Sequence, residues 1–412
     1  MSGPVFVLGG HQTDFAKVWS RAGQDISDMM RESIQGAVAD ARIAWTDIGV
    51  AHVGNAFAEL CRQQAHLGAL VAQVAPELWG VPAMRHEGAC ASSSLATLVA
   101  MAELEAGRYD CALVLGVEEE KNLPGDDASR AQNAAAWAGR EDIDCRFMWP
   151  AAFGLMAREY DERHGLDRRH LNRIAEINYA NARLNPLAQT RRWQFGPRSF
   201  TDCDESNPVI EPGTRRNDCA QITDGAASLV LASAGFARNH ARRTGVSLDA
   251  LPRIVGWGHR NAGARLRDKF ERSRGEPYLF PHMRHAIQDA WRRAGITGPE
   301  ALDGIETHDC FAMTEYLAID HFGITAPGRA FEAIESGSIE RGGALPINPG
   351  GGLIGIGHPV GATGARMLLD AARQVSGRAG DIQIGGAKRF ATLNIGGSCA
   401  TVCSFVVATG ES

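Results

Sequence analysis

The chain has 412 residues, with 42 Lys and Arg against 48 Asp and Glu, a formal net charge of −6. Hydrophobic residues make up 44% and charged residues 22%, close to the roughly 45–50% and 25% of soluble globular proteins, which excludes a disordered or fibrous chain. The acidic surplus excludes a general nucleic-acid binder, which needs a basic footprint. No run of about 18 apolar residues is present to span a membrane.

Met1–Gly10 lacks a basic leader and reads as a strand rather than a signal peptide. Thr409–Ser412 is not a Ser-Lys-Leu type of address. The nine cysteines are odd in number and contain no Cys-x-x-Cys pair. That pattern argues against a disulfide scaffold or a structural zinc site and fits a reducing, cytoplasmic location.

In chain order, Val5–Leu8 is expected as a buried strand, Ile26–Ala44 and Leu95–Glu105 as helices, and Ala112–Leu115 as a second buried strand. Residues Glu119–Asp224 break this pattern. They are polar, carry Arg pairs at 168/169, 191/192 and 215/216, and hold one clear helix around Phe153–His164. They read as an excursion that re-enters the sheet at Ala227–Ala232, and such excursions commonly cover active sites. Strands alternating with helices imply a mostly parallel α/β sheet with both faces covered.

A repeat of roughly 250 residues follows from ordered similarities. Val5-Phe-Val-Leu-Gly-Gly-His11 echoes Ile254-Val-Gly-Trp-Gly-His259, and Ala37-Val-Ala-Asp-Ala-Arg42 echoes Ala286-Ile-Gln-Asp-Ala-Trp291. Each half then reaches a small-residue segment at the mouth of a helix: Gly88–Ser94 in the first, Gly357–Gly364 in the second. The expected organisation is a half of residues 1–250, with residues 119–224 inserted, and a second half of residues 251–412.

Three segments can carry chemistry. Cys90 follows Gly88-Ala89 and precedes Ser92–Ser94, so its thiol is expected near helix N-cap chemistry and the positive end of a helix dipole, which lowers a thiol pKa. His358 lies among glycines that leave its imidazole unobstructed, and a thiolate needs such a base. The segment is no nucleotide P-loop, because Gly-Lys-Ser/Thr is missing. His308 and Cys310, one residue apart beyond a strand at Gly304–Thr307, point to one side of an extended end. No cluster has metal-ligand spacing, so no metal site is expected. Cys61, Cys111, Cys145, Cys203 and Cys219 read as filler, His11 and His259 as structural, and His282/His285 as a solvated helical pair.

These motifs resemble the thiolases. Gly88-Ala-Cys90-Ala-Ser92 is similar to their nucleophile loop, Gly357-His358-Pro359 to their general-base loop, and Asp224–Ala227 to the return from their loop domain. His308-Asp-Cys-Phe311 is the form of the sterol-carrier-protein-type branch, where others carry Asn-Glu-Ala-Phe. Phe153–Glu159 and Asn185-Pro186 also resemble that branch. The resemblance implies a duplicated α/β thiolase fold, two βαβαβαββ halves in five layers α-β-α-β-α with an inserted loop domain. It implies a homodimer or dimer of dimers, with a small companion protein as a further option. Coenzyme A and acyl-CoA are implied as substrates, with no permanently bound cofactor.

By the same resemblance, Cys90 forms an acyl-enzyme, His358 takes its proton and Cys310 is the second acid/base. His308 and His358 donate to one oxyanion, and the backbone N–H groups of Cys90 and Gly396 to the other. The Cys-x-Gly of most thiolases is here Asn394-Ile395-Gly396, so Cys310 must supply the missing thiol. Arg191, Arg192, Arg215 and Arg216 are the candidates for coenzyme A phosphates. The expected activity is reversible thiolysis or Claisen condensation of 3-oxoacyl-CoA. Two alternatives stand beside it: another C-acylation or a retro-aldol cleavage on this fold, and a catalytically idle acyl or lipid carrier.

Overall fold

A computed structural model describes residues 3–410. Its strands are β1 (Val5–Gln12), β2 (Val50–Gly54), β3 (Ala83–His86), β4 (Cys111–Glu118), β5 (Val209–Glu211), β6 (Thr214–Arg215), β7 (Gly225–Ala232), β8 (Arg253–Asn261), β9 (Gly304–Thr307), β10 (Arg389–Gly396) and β11 (Thr401–Ala408). Nine of them form one sheet in the order β3-β2-β4-β7-β1-β8-β11-β10-β9, while β5 and β6 make a small separate hairpin.

The order exposes the duplication. In the first half β2 runs parallel to β3 and β4, and β7 and β1 follow antiparallel. In the second half β9 runs parallel to β10, and β11 and β8 follow antiparallel. The halves meet at β1 and β8 through two residue pairs, Val5 with Ile254 and Phe6 with Arg253. The second half lacks an equivalent of β3. Only an isolated bridge between Ile305 and Ile347 remains, because Pro346 and Pro349 beside it have no N–H to extend a ladder.

Helices Ser92–Glu105 and Thr363–Val375 form the central layer, and the second packs on strands of both halves. A core of Val114, Leu229, Leu368, Phe390 and Phe405 joins the two halves of the sheet across it. Helices Ile26–Ala41 and Leu67–Val74 cover the first half outside, and Pro281–Ala294 covers the second. With its polar residues enclosed, Thr363–Val375 must neutralise them internally. Arg366, 1% exposed, donates to Glu306 at 2.8 Å and Asp370 at 3.0 Å.

Residues 119–224 leave the sheet after β4 and return at β7, and Asp224 fastens the two ends by accepting the N–H groups of Glu120 and Lys121. The excursion holds helices Gly125–Gln132, Met148–His164 and Arg168–Ala182. The last was not anticipated, because its buried face mixes Leu171, Ile174 and Tyr179 with His170, Asn172, Asn178 and Asn181. Those asparagines reach the second half. Asn178 donates to Asp309 and Glu315 at 3.0 and 2.6 Å, and Asn181 to the Asn348 carbonyl at 3.1 Å.

Breaking the enclosed ion pair strands two buried carboxylates. Arg366→Ala is expected to lower the unfolding free energy by about 3–5 kcal/mol, measured by urea denaturation. Adding Glu306→Gln should cost less than its effect alone predicts, since the partner charge is already gone. An unchanged urea midpoint in Arg366→Ala contradicts the assignment.

Candidate active site

The chain leaves β3 through Glu87-Gly88 and enters a tight turn, Ala89–Ala91, continuous with helix Ser92–Glu105. Ala89 adopts φ +51°, a left-handed conformation unfavourable for a residue with a Cβ. It is held there by Glu87, whose carboxylate accepts the Ala89 N–H at 2.6 Å. The three serines do not cap the helix as expected. Ser92 accepts the Gly88 N–H and donates to the Ala89 carbonyl, which stabilises the turn itself. Ser93 and Ser94 cross to the other half, where Ser93 accepts the Ala365 N–H at 2.9 Å and Ser94 donates to Asn394 Oδ1 at 2.7 Å.

These contacts bring the two halves together over Cys90. Its sulfur and one ring nitrogen each of His308 and His358 lie within 4.8 Å of one another. The imidazoles stand edge to face, with centroids 5.2 Å apart. Cys90, Cys310 and His358 line one cleft of about 380 Å³. Asp309 faces away between His308 and Cys310 and accepts the N–H groups of Leu353 and Ile354 at 2.5 and 3.1 Å. It thereby ties the His308 segment to the loop that presents His358.

The backbone amides of Gly397 and Cys90 lie beside the Cys90 sulfur and favour its ionised form. Gly396, whose N–H is the expected oxyanion donor beside that of Cys90, lies one residue earlier, and a Cβ there would lie 2.2 Å from the Gly88 carbonyl oxygen, so glycine lets β10 approach the Cys90 turn. Gly397 is the residue that lines the cleft.

Hydrogen bonds define the state of His358. Its N–H donates to Thr223 Oγ1 at 3.0 Å, and its Nδ1 lies 2.8 Å from Thr363 Oγ1. The Thr363 hydroxyl donates to the Pro359 carbonyl at 3.1 Å, so its oxygen is left to accept from Nδ1–H. The Nε2 lone pair then faces the cleft, as a base requires. Burial, reinforced by the Arg366 charge, lowers the imidazole to about 3, so it is neutral at physiological pH. Burial and the neighbouring His358 likewise hold His308 well below its ordinary value.

The thiol of Cys90 differs from the sequence expectation. Burial pushes it up to about 12 and the nearby Glu120 adds to this, while the two backbone amides only partly oppose the rise. Desolvation outweighs the helix terminus. Cys90 therefore rests as a thiol. Burial likewise holds the Cys310 thiol protonated, well above its usual range.

Apolar walls come from Phe57, Phe147, Trp149, Phe153 and Phe311, and polar groups from Gln132, Gln221 and Arg216. The four arginine candidates separate. Arg191 forms a double hydrogen bond with Asp14, Arg215 is taken up by Asp204 and the Asn207 carbonyl, and Arg192 is exposed away from the cleft. Only Arg216 lines the cavity. Cys219, expected as filler, also lines it, with its thiol donating to the Arg215 carbonyl at 3.2 Å. His282 is not on a solvated face: its Nε2 bonds the Cys399 carbonyl at 2.7 Å, and His285 alone is exposed.

Cys90, His308 and His358 are also the one group among the described residues with three possible cation ligands so close together. Sequence reasoning missed Thr363, Gly397 and the supporting role of Asp309. Thr363 had a signal in its place five residues beyond His358, at the start of the next helix. Asn394 was seen only as a missing cysteine.

Residues 5–197 match the thiolase N-terminal domain and residues 266–409 the thiolase C-terminal domain-like family. The chain is 31% identical to an acetyl-CoA acetyltransferase of Methanothermobacter thermautotrophicus, over 96% of this chain and 97% of that protein. It is 28% identical to sterol carrier protein 2 of Homo sapiens, over 95% of this chain and 70% of that protein. A solved structure described as an Ltp2-ChsH2(DUF35) aldolase superposes with a TM-score of 0.76 at 19% identity, over 100% of this chain and 99% of that one. At that identity the likeness concerns the fold. With both domain matches, a relative above 30% identity across its whole length, and the same duplicated architecture, the chain belongs to the thiolase family.

Proposed function

We propose that this chain is a C-acyltransferase that reversibly cleaves or forms 3-oxoacyl-CoA through an acyl group on Cys90. The observation that carries the reading is the meeting of a protonated thiol, a neutral base, a second imidazole and a second thiol around one cleft. In the cleavage direction His358 Nε2 takes the Cys90 proton as the sulfur attacks the 3-oxo carbon. The oxygen gains negative charge between the N–H groups of Cys90 and Gly396. The C2–C3 bond then breaks, its electrons pass into an enolate of acetyl-CoA, and the Cys310 thiol gives C2 a proton.

A second coenzyme A completes the cycle. Its thiol returns a proton to Cys310, its sulfur attacks the acyl-Cys90 carbonyl, and the departing Cys90 sulfur recovers its proton from His358. The enolate oxygen is placed where both imidazoles can donate, since His358 carries a proton on Nε2 after the first step. Each preorganised donor of this kind contributes on the order of 3–4 kcal/mol. Condensation runs the same steps backwards.

The relatives named acetyl-CoA acetyltransferase and sterol carrier protein 2 support coenzyme A thioesters as substrates, and Arg216 at the cleft is the favoured phosphate contact. The DUF35 partner of the structural neighbour supports a small companion protein, alongside the homodimer the resemblance implies. That neighbour is described as an aldolase, which supports the alternative of C–C cleavage without free coenzyme A. Retention of both Cys90 and Cys310 favours thiolysis. No helix among the described residues is long and apolar enough to cross a membrane, and a cytoplasmic location is part of the proposal.

Incubation with acetyl-CoA is expected to add one acetyl mass to Cys90, detected by peptide mass spectrometry. Cys90→Ala should gain none, and an acetylated Cys90→Ala protein would falsify the assignment. Cys310→Ser should still acetylate yet lose the carbon–carbon step by about 10²–10⁴-fold, scored as acetoacetyl-CoA thiolysis. The pH profile adds a separate check. Because the His358 base binds a proton only as pH falls towards about 3, kcat/KM should show no limb near pH 6.5. A midpoint at the ordinary histidine value would exclude His358 as the base in this state.

A further inference from the structure

His308 is 1% exposed, and the hydrogen bond to its inner nitrogen decides what its outer nitrogen can do. Asn394, also 1% exposed, places its side-chain nitrogen 3.1 Å from His308 Nδ1. The amide oxygen of Asn394 accepts the Ser94 hydroxyl at 2.7 Å. Ser94 is equally enclosed and makes no other side-chain hydrogen bond among the described residues. If the amide were reversed, its NH₂ would face Ser94 and the serine proton would lose its acceptor in a dry interior. That is an expensive arrangement.

The orientation settles the tautomer. An amide nitrogen can only donate, so His308 Nδ1 must be the bare nitrogen. A neutral imidazole with a bare Nδ1 carries its proton on Nε2. Since Nδ1 is occupied by Asn394, Nε2 is the atom that faces Cys90 and His358. His358 is wired the other way, with Nδ1–H given to Thr363 and Nε2 bare. Two imidazoles 5.2 Å apart thus present opposite polarities to the space beside Cys90.

We propose that Asn394, backed by Ser94, is a positioning residue that locks His308 in the Nε2–H form and makes it a standing hydrogen-bond donor to the reacting oxygen. The oxygen's identity rests on the thiolase-type reading above; the lock itself does not. Asn394 does not line the cleft and acts through His308. The device also joins the halves, because Ser94 belongs to the Cys90 helix while Asn394 and His308 belong to β10 and the end of β9. Gly364 leaves room for it, since a Cβ there would lie 2.3 Å from Ser94 Oγ and 2.7 Å from Asn394 Oδ1. An amide cannot relay protons as a thiol does. Where other thiolases carry an acid/base cysteine, this chain holds a residue that prepares a neighbour, and Cys310 is left as the second thiol.

The test is ¹⁵N NMR of the full chain labelled at histidine, with the His308 resonances assigned by their loss in His308→Ala. At neutral pH the wild type is expected to show His308 protonated at Nε2 and bare at Nδ1. A protonated Nδ1 in the wild type overturns the proposal, whatever the variants do. Asn394→Ala and Ser94→Ala should move the population towards Nδ1–H. In parallel, thiolysis kcat should fall, on the order of 10²-fold for Asn394→Ala and less for Ser94→Ala, with KM changed only a few-fold. Variants that fold yet keep both the wild-type tautomer and kcat also overturn it. Covalent acetylation of Cys90 is scored independently, so a failed thiolase reading is distinguishable from a failed lock.

Discussion

The active site depends on how closely the two halves approach in the central layer. Helices Ser92–Glu105 and Thr363–Val375 meet with so little space that a Cβ at Gly364 would lie 2.3 Å from Ser94 Oγ and 2.7 Å from Asn394 Oδ1. Ser93 and Ser94 use this proximity for hydrogen bonds across the duplication. Cys90, at the head of one helix, and His358, just before the other, are then brought within reach of each other. Larger residues at these crossings would part the halves and separate the base from the thiol.

Around that crossing the protein encloses an unusual number of carboxyl groups, and each is occupied in holding a loop. Glu118 accepts from Asn55, Ala56, Phe57 and Gly361, and so binds the end of β4 to the loop after β2 and to the segment beyond His358. Asp309 and Glu315 perform the same task on the other side through Asn178, Asn348 and the amides before His358. Burial raises Glu118 and Asp309 to about 7 and Glu315 to about 8. Several kcal/mol of desolvation per charge is tolerable only because backbone N–H groups converge on Glu118 and Asp309 and asparagine amides on Glu315. The inserted excursion is therefore more than a cover, since its helix Arg168–Ala182 supplies one of the asparagines in this network.

The reactive groups gain their roles from surroundings more than from intrinsic acidity. Cys90 lies at a helix mouth, yet enclosure by protein outweighs that dipole and keeps it protonated. His358 and His308 are chemically identical and equally neutral, but Thr363 and Asn394 turn them into an acceptor and a donor. Low polarity around the cleft strengthens both hydrogen bonds and makes a wrong tautomer costly.

Local chemistry was legible along the chain. Gly88-Ala-Cys90, Gly357-His358-Pro359 and His308-Asp-Cys310 announce themselves by composition and spacing, and the order of apolar runs carries the duplication into two halves with one strand order. These properties depend on residues a few positions apart, or on the repetition of a pattern. Other properties hang on atoms hundreds of positions apart. The sequence cannot show that Gly397 borders the cleft beside Cys90, or that Arg216 alone of four arginines does. Nor can it show that an asparagine in β10 sets the proton on a histidine beyond β9. Hydrogen bonds are decided at tenths of an ångström and charges by what encloses them, and only the packed chain specifies either.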